Sequence, residues 1–125
     1  MLITIANVLA GLIGAGCIFM GVNAFRAPQA AAGFGIPGTP TESRNFQAWL
    51  SVKAVRDIAS GIFIFILLGG ATPHLLGWFM LAAAGIPAGD ALIVSRNNGP
   101  KAAIYGIHGA TAMVMVAISI LLLVA

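Results

Sequence analysis

Four long apolar stretches divide the chain, and each is long enough to cross a membrane as a helix. Crossing the hydrocarbon core takes about 20 helical residues at a rise of 1.5 Å per residue. Because backbone groups in lipid must satisfy one another, helices are favoured over isolated strands. The pattern therefore predicts an all-α fold. The predicted architecture is a four-helix transmembrane bundle that forms a single domain over residues 1–125, with helices at about 2–25, 40–69, 73–96 and 100–124.

The three connections between these stretches differ in length and character. A tight, uncharged turn joins the second and third stretches, and a short polar turn rich in helix breakers joins the third and fourth. The first connection, residues 27–39, is longer and too apolar for an ordinary solvated loop. We expect it to lie in the membrane interface or to fold over the end of the bundle as a lid. Thr39-Pro40-Thr41-Glu42 resembles a capping box, which would begin the second helix at residue 40.

The charge distribution agrees with a membrane protein and predicts its orientation. The chain is 60% hydrophobic and 7% charged, whereas soluble domains average about 25% charged residues. The basic residues form no clustered patch, so no nucleic-acid partner is expected. They all fall at one end of the predicted bundle, which by the positive-inside rule puts the 1–2 and 3–4 connections in the cytoplasm and both termini outside. These residues are Arg26, Arg44, Lys53, Arg56, Arg96 and Lys101.

Several ionisable residues fall inside the predicted spans, at similar depths. Counting 1.5 Å per residue, Arg56 and Asp57 lie roughly 10 Å inside the membrane boundary, Asp90 roughly 8–9 Å and His108 about 12 Å. Asn23 in the first helix lies slightly shallower. A charge at the bilayer centre costs roughly 2.5–3.5 kcal/mol on insertion scales, so such residues mark functional sites by default. Three helices therefore bring ionisable groups to one layer.

The polar residues also share helix faces, since residues three or four apart lie on one side of a helix. We expect these faces to point inward and to meet, because facing lipid would be unfavourable. Pro87, one turn before Asp90, frees a carbonyl near Ala83 and loosens the third helix. The face on the second helix contains Trp49, Lys53, Arg56, Asp57 and Ser60, and that on the fourth contains Lys101, Tyr105, His108 and Thr111.

Two carboxylates bridged by an arginine suit acid/base chemistry. The carboxylate paired with the arginine would stay ionised as a base, and the other, buried, would stay protonated as an acid. Such a pair can activate water and protonate a leaving oxygen, the two actions that open an epoxide. Which aspartate is the base is open. The catalytic candidates are Asp57, Asp90, Arg56 and His108, and the substrate-binding candidates are Tyr105, Asn23, Trp49 and Lys53.

Other interpretations of the same residues stay open. The cluster could be a buried ion pair that fixes helix register in a structural or partner-binding subunit. It could also be a proton relay in a small proton-coupled transporter, although the opposite half of the bundle carries no charge. No spacing motif indicates a metal site, no cofactor is predicted, and the lone Cys17 is interpreted as a small core residue. Expected partners are the lipid bilayer and a lipophilic small molecule, and a homo-oligomer is left open.

Four short motifs carry a family resemblance over nearly the whole chain. Gly33-Phe34-Gly35-Ile36-Pro37, KAVRDIASG at 53–61, PAGDALIV at 87–94 and His108-Gly109-Ala110 resemble small four-helix membrane proteins of unknown function from bacteria and fungi. More distantly, the chain is similar to small membrane hydrolases of fungal polyene–pyrone pathways, the aurovertin and citreoviridin types, implicated in epoxide opening during ether-ring formation. The resemblance implies that Arg56, Asp57, Asp90 and His108 matter, and it assigns no roles to them.

Overall fold

The computed structural model describes all of residues 1–125, and every regular element in it is a helix. The prediction of an all-α fold without strands is confirmed. A seven-residue 3₁₀ helix at Pro28–Phe34, here called the roof, and a π-helical segment at Ala102–Gly109 interrupt the α-helices. The α-helices are α1 (Leu2–Arg26), α2 (Arg44–Gly70), α3 (Pro73–Ala83), α4 (Gly85–Arg96) and α5 (Ala110–Val124).

The surface of the molecule is that of a membrane protein. Only 20 of 125 residues are buried, and large apolar side chains are exposed along every α-helix, which water would not tolerate over so large an area. Three helical stretches are long and apolar enough to span a bilayer: Leu2–Arg26, Pro73–Arg96 and Ala102–Val124. The 27-residue α2 is as long as these, but it carries three charges between positions 53 and 57.

The second helix begins at Arg44, and the predicted capping box does not form. The N-cap is Ser43, whose Oγ accepts a hydrogen bond from the amide of Phe46 (3.3 Å). Thr39 instead donates from its hydroxyl to the carbonyl of Ile36 (2.6 Å). Such local side-chain to backbone hydrogen bonds hold the chain in a turn and compete with a helix start at that residue. The connection between α1 and α2, which contains the roof, is therefore longer than predicted.

The third predicted span is broken at Ala84, between α3 and α4. Pro87 has no amide hydrogen, so the carbonyl of Ala83 loses its i+4 donor. This is the loosening that the sequence predicts. At the other end of α3, the hydroxyl of Thr72 accepts a hydrogen bond from the amide of Leu75 (3.2 Å). Pro73 occupies the first turn, where its missing amide hydrogen costs no helical hydrogen bond.

The first two helices pack closely because glycines line their contact. A Cβ atom added to Gly61 would overlap the carbonyl oxygen of Gly14, and one added to Gly21 would lie 2.6 Å from the carbonyl oxygen of Ala54. Small residues at helix contacts let backbones approach in membranes, where helix association depends on close packing. This contact runs the length of α1 and anchors α2, the most highly charged helix, within the fold.

We predict that Gly61→Ala destabilises the protein by about 1–3 kcal/mol, the usual range for overpacking a tight contact. The added methyl group has no room because the atom facing it is backbone. The free energy of unfolding in mixed micelles measures the effect. Gly69→Ala is the matched control on the same helix, since a Cβ there meets nothing within 4 Å. Equal stability of the two variants would show that this close contact does not hold α1 and α2 together.

The packed core and the open part of the fold lie at opposite ends. The core end includes the turn at Ala71–Thr72, where Ser119 donates a buried hydrogen bond from α5 to the carbonyl of Gly77 in α3 (2.8 Å). The other end, called the roof end, is more open. There α4 packs on the π-helical segment and α2 packs on α1, while α2 and α4 are not packed against each other. The core consists of Ala6, Ala10, Ile64, Leu76, Met80, Ala84, Met115, Ile118 and Leu122.

Candidate functional site

A cavity of about 810 Å³ lies at the roof end, between α1, α2, α4 and the π-helical segment. Most of its wall is apolar, and the roof contributes small side chains and the ring of Phe34. Asn23 lines it from α1. Four ionisable side chains also line it, and they are called the charged layer below. The charged layer is made of Lys53, Asp57, Asp90 and His108.

Within the charged layer, Lys53 and Asp57 form an ion pair. The Nζ atom of Lys53 lies 2.6 Å from Oδ2 of Asp57, one helical turn away on α2. Lys53 Nζ also lies 5.4 Å from the centre of the Phe34 ring, within range of a cation–π contact. Lys53, predicted to bind substrate near the membrane edge, is thus turned into the cavity, and it holds the Asp57 carboxylate and the roof together.

Arg56 does not take the bridging position that the sequence analysis predicts. Its side chain is exposed, donates to the carbonyl of Val52 (3.1 Å) and does not line the cavity. The physical reason is helical geometry: residues i and i+4 share a face, while adjacent residues do not. Lys53 therefore reaches Asp57, and Arg56, although next to Asp57 in sequence, points elsewhere. The cation in the site is an ammonium group rather than a guanidinium group.

His108 connects the fourth span to the roof. It is 6% exposed, and its Nε2 lies 2.7 Å from the carbonyl oxygen of Phe34. A carbonyl can only accept, so Nε2 donates in this contact. The two rings are also in contact, tilted by 51° with 4.3 Å between their centroids. Next to Phe34, Gly35 has φ +111° and fits against Ala103, where any side chain would be strained and crowded.

Tyr105 does not share the face of His108, contrary to prediction. It is 70% exposed and lies outside the cavity wall. The prediction assumed α-helical winding, but residues 102–109 are wound as a π-helix, in which each hydrogen bond skips one more residue and side chains three apart diverge. Gly109 permits this winding, since a Cβ there would lie 2.9 Å from the carbonyl oxygen of Ile104. π-helical turns are rare and occur often at functional sites.

Asp90 is the unpaired carboxylate of the site. It is partly buried, it lines the cavity, and no side chain or amide donates a hydrogen bond to it. Lys53, His108 and Asp57 line the same cavity. No three His, Cys, Asp or Glu side chains are grouped closely enough to hold a metal ion.

Two further residues of the cavity wall are Trp49, which was predicted to bind substrate, and Cys17, which was not. Trp49 lines the cavity and is 71% exposed, so it stands at the opening. Cys17, interpreted from the sequence as a core residue, is half-buried and lines the cavity from α1. Its position could have been inferred from helical spacing, because Met20 and Asn23 continue the same face. The Phe34 carbonyl, in contrast, carries no signal in the sequence.

Comparison with known proteins identifies the family. A family described as a domain of unknown function (DUF4267) matches residues 14–122. The chain belongs to the DUF4267 family. The match contains every residue of the charged layer and agrees with the resemblance to membrane proteins of unknown function. Neither a curated protein nor a solved structure matches the chain, so the likeness to fungal hydrolases gains no support, and the function of DUF4267 has to be argued from the site.

Proposed function

We propose that the chain is a small membrane enzyme that opens an epoxide on a lipophilic substrate by acid/base catalysis. The observation that carries the proposal is a cavity of about 810 Å³ with apolar walls and two carboxylates and a histidine facing into it. Ligand sites are typically clefts of about 300–1,000 Å³ lined by apolar side chains with a few polar groups. A purely structural ion-pair cluster would have no need for open space beside it.

The pairing within the charged layer supports separate roles for the two aspartates. Lys53, 2.6 Å from Asp57, is a partner for an ionised carboxylate, so Asp57 is the general base. Asp90 has no such partner and is the general acid. Asp57 accepts a proton from water while the water oxygen attacks an epoxide carbon. The carbon–oxygen bond breaks, and the epoxide oxygen takes the proton of Asp90. Water and epoxide thus give a vicinal diol.

In this reaction the other cavity residues bind and orient. His108 has Nε2 engaged with the roof, and its other ring nitrogen, Nδ1, can form a hydrogen bond with the water or a substrate hydroxyl. A hydroxyl of the substrate in place of water would give a cyclic ether by the same proton transfers. Asn23 supplies an amide on the α1 side. Arg56 and Tyr105 lie outside the cavity and take no part.

The closed core end supports an enzyme over a proton-coupled transporter. A transporter needs a polar path to both ends of the fold. Here nine apolar side chains fill the core end, and its one buried polar side chain outside that cluster, Ser119, is satisfied by the Gly77 carbonyl. All four ionisable groups lie on the roof side of this core. The charged layer is thus a site with one accessible end, as a hydrolase requires and an exchanger does not.

Four membrane spans are part of the proposal, with α2 as the fourth. The α2 helix has 27 residues, about 40 Å at 1.5 Å per residue, and its ion pair removes two of its charges from the lipid. We propose that the roof and the turn after α4 face the cytoplasm, since all Lys and Arg residues lie at that end. Both termini and the Ala71 turn then face outward.

Thiol labelling of intact cells tests this topology. In a Cys17→Ala background, Ala71→Cys should react with an impermeant maleimide from outside, and Gln29→Cys in the roof should react only after permeabilisation. Equal labelling of both positions in intact cells would rule out a spanning α2.

Turnover by the purified protein tests the function. The protein in lipid nanodiscs should convert a terminal epoxide of a long alkyl chain into a diol, and in isotopically labelled water the diol should gain one labelled oxygen. A substrate with an internal hydroxyl should give a cyclic ether without label. Absence of both products for every lipophilic epoxide offered would overturn the proposal.

A further inference from the structure

The cavity extends well below the charged layer, toward the core end. The residues that lie seven positions from Asp57, Asp90 and His108 in the same membrane spans all line the wall: Ile64, Ala83 and Met115. Seven helical residues correspond to about 10 Å, so three helices place apolar side chains at one depth below the three ionisable groups. This region is called the apolar end, and Leu12, Ile13 and Phe79 complete its wall.

Above the charged layer, the cavity is limited by the roof. Ala27, Ala30, Ala31 and Phe34 line it there, and the His108 contact and the Lys53–Phe34 contact hold the roof in place. A molecule in the cavity therefore has long apolar space on one side of the charged layer only.

The cavity is open at its side, where two pairs of helices are not closely packed: α2 with α4, and α1 with the π-helical segment. Exposed side chains of the cavity wall flank both gaps, Trp49 and Ile86 at the first and Met20 and Ile107 at the second. In a bilayer, these gaps face the acyl chains. A lipophilic molecule can therefore enter from the membrane without crossing water.

From this arrangement, and resting on the proposed function, we infer the substrate class. It is a single-chain lipophile with its reactive group at or near one end of the chain. The reactive group lies in the charged layer, and the chain lies in the apolar end, between Ile64, Ala83 and Met115. A chain that continues far beyond the reactive group in both directions meets the roof. Two-chain lipids do not fit, because the charged layer has one apolar extension.

Cys17 provides a direct probe of occupancy, because it is the only cysteine of the chain and lines the cavity. Gly14 and Gly21, on either side of Cys17 in α1, face Gly61 and Ile58 of α2, so Cys17 lies close to the depth of Asp57. Vicinal diols of alkyl chains are suitable ligands, since they do not react with thiols and need no turnover. Bound diol should slow alkylation of Cys17 by N-ethylmaleimide in nanodiscs.

The experiment measures this protection for diols of increasing chain length. In the unmodified protein, protection should rise with chain length and then level off, and a diacylglycerol should give none. Ala83→Phe places a ring in the apolar end, so the longest chains should lose their protection while short ones keep it. Ala82→Phe is the matched control: the neighbouring side chain is exposed and outside the cavity, and the variant should behave as the unmodified protein does.

Each outcome decides the inference. Protection that is independent of chain length, equal protection by diacylglycerol, or the same profile for Ala83→Phe and Ala82→Phe would overturn it. Ala83→Leu replaces Ala83→Phe if thermal unfolding shows that the larger side chain impairs folding. The readout is binding, so chain-length-dependent protection without any epoxide turnover would reject the proposed reaction and leave the inferred ligand class standing.

Discussion

Asp90→Asn should lower kcat/KM for a lipophilic epoxide by about 10²–10⁴-fold, the contribution typical of one general acid or base. The amide keeps the size of the carboxyl group and cannot deliver an acidic proton to the epoxide oxygen. Asp57→Asn should give a loss of the same order, because the amide cannot take a proton from water. Both are measured as diol formation in nanodiscs, alongside thermal unfolding to establish that the variants are folded.

The chain contains a matched control for these variants. Its three acidic residues are Glu42, Asp57 and Asp90, and Glu42 is exposed and outside the cavity wall. Glu42→Gln removes the same charge and should leave turnover unchanged. Full activity of both Asp57→Asn and Asp90→Asn would exclude acid/base catalysis by the charged layer.

Substitution of Lys53 and of Arg56 distinguishes the ion pair seen in the structure from the arginine bridge that the sequence predicts. Lys53→Met removes the ion pair inside the cavity and should reduce turnover. Arg56→Met removes a charge that contacts only its own helix and should have little effect on turnover. The reverse result would support the arrangement expected from the sequence, with the arginine between the carboxylates.

That Asp57, Asp90 and His108 face one interior space could be predicted from the sequence because the rise and the periodicity of a helix are constant. Counting residues from the charged and proline-rich turns places Asp57, Asp90 and His108 in one layer, and all three line one cavity. Pro87 likewise predicts the loosened helix near Ala83, where α3 ends, since the missing amide is a property of the residue itself.

The positions of other site residues could not be predicted, because they depend on how the backbone is wound and on contacts between residues far apart in sequence. Tyr105 and His108 separate because the backbone between them is π-helical, and hydrophobic periodicity does not distinguish this from an α-helix. The partner of His108 is a main-chain carbonyl 74 residues away in sequence, where any residue type would supply the same atom. Lys53 lies one turn from Asp57 and forms the ion pair, whereas Arg56, adjacent to Asp57 in sequence, contacts only its own helix.

Gly16→Leu should block the cavity without disturbing the fold. A Cβ on Gly16 meets nothing within 4 Å, and the residue lines the cavity from α1, so a leucine side chain can extend into the cavity without displacing a neighbour. Glycine within a helix is less favourable than leucine by up to about 1 kcal/mol, so the variant should be at least as stable as the unmodified protein. Diol binding, measured by protection of Cys17, should weaken at least about tenfold, which corresponds to ~1.4 kcal/mol.

The control for this variant is Gly85→Leu, at a glycine with equally open surroundings but outside the cavity wall. It should retain binding and turnover. Gly16→Leu and Asp90→Asn should also differ from each other, since the first removes space for the ligand and the second removes a proton donor. The first should therefore impair binding, and the second should impair turnover while binding persists. If Gly16→Leu binds diols and opens epoxides normally, the reaction takes place elsewhere, and the charged layer serves to hold the helices and the roof together.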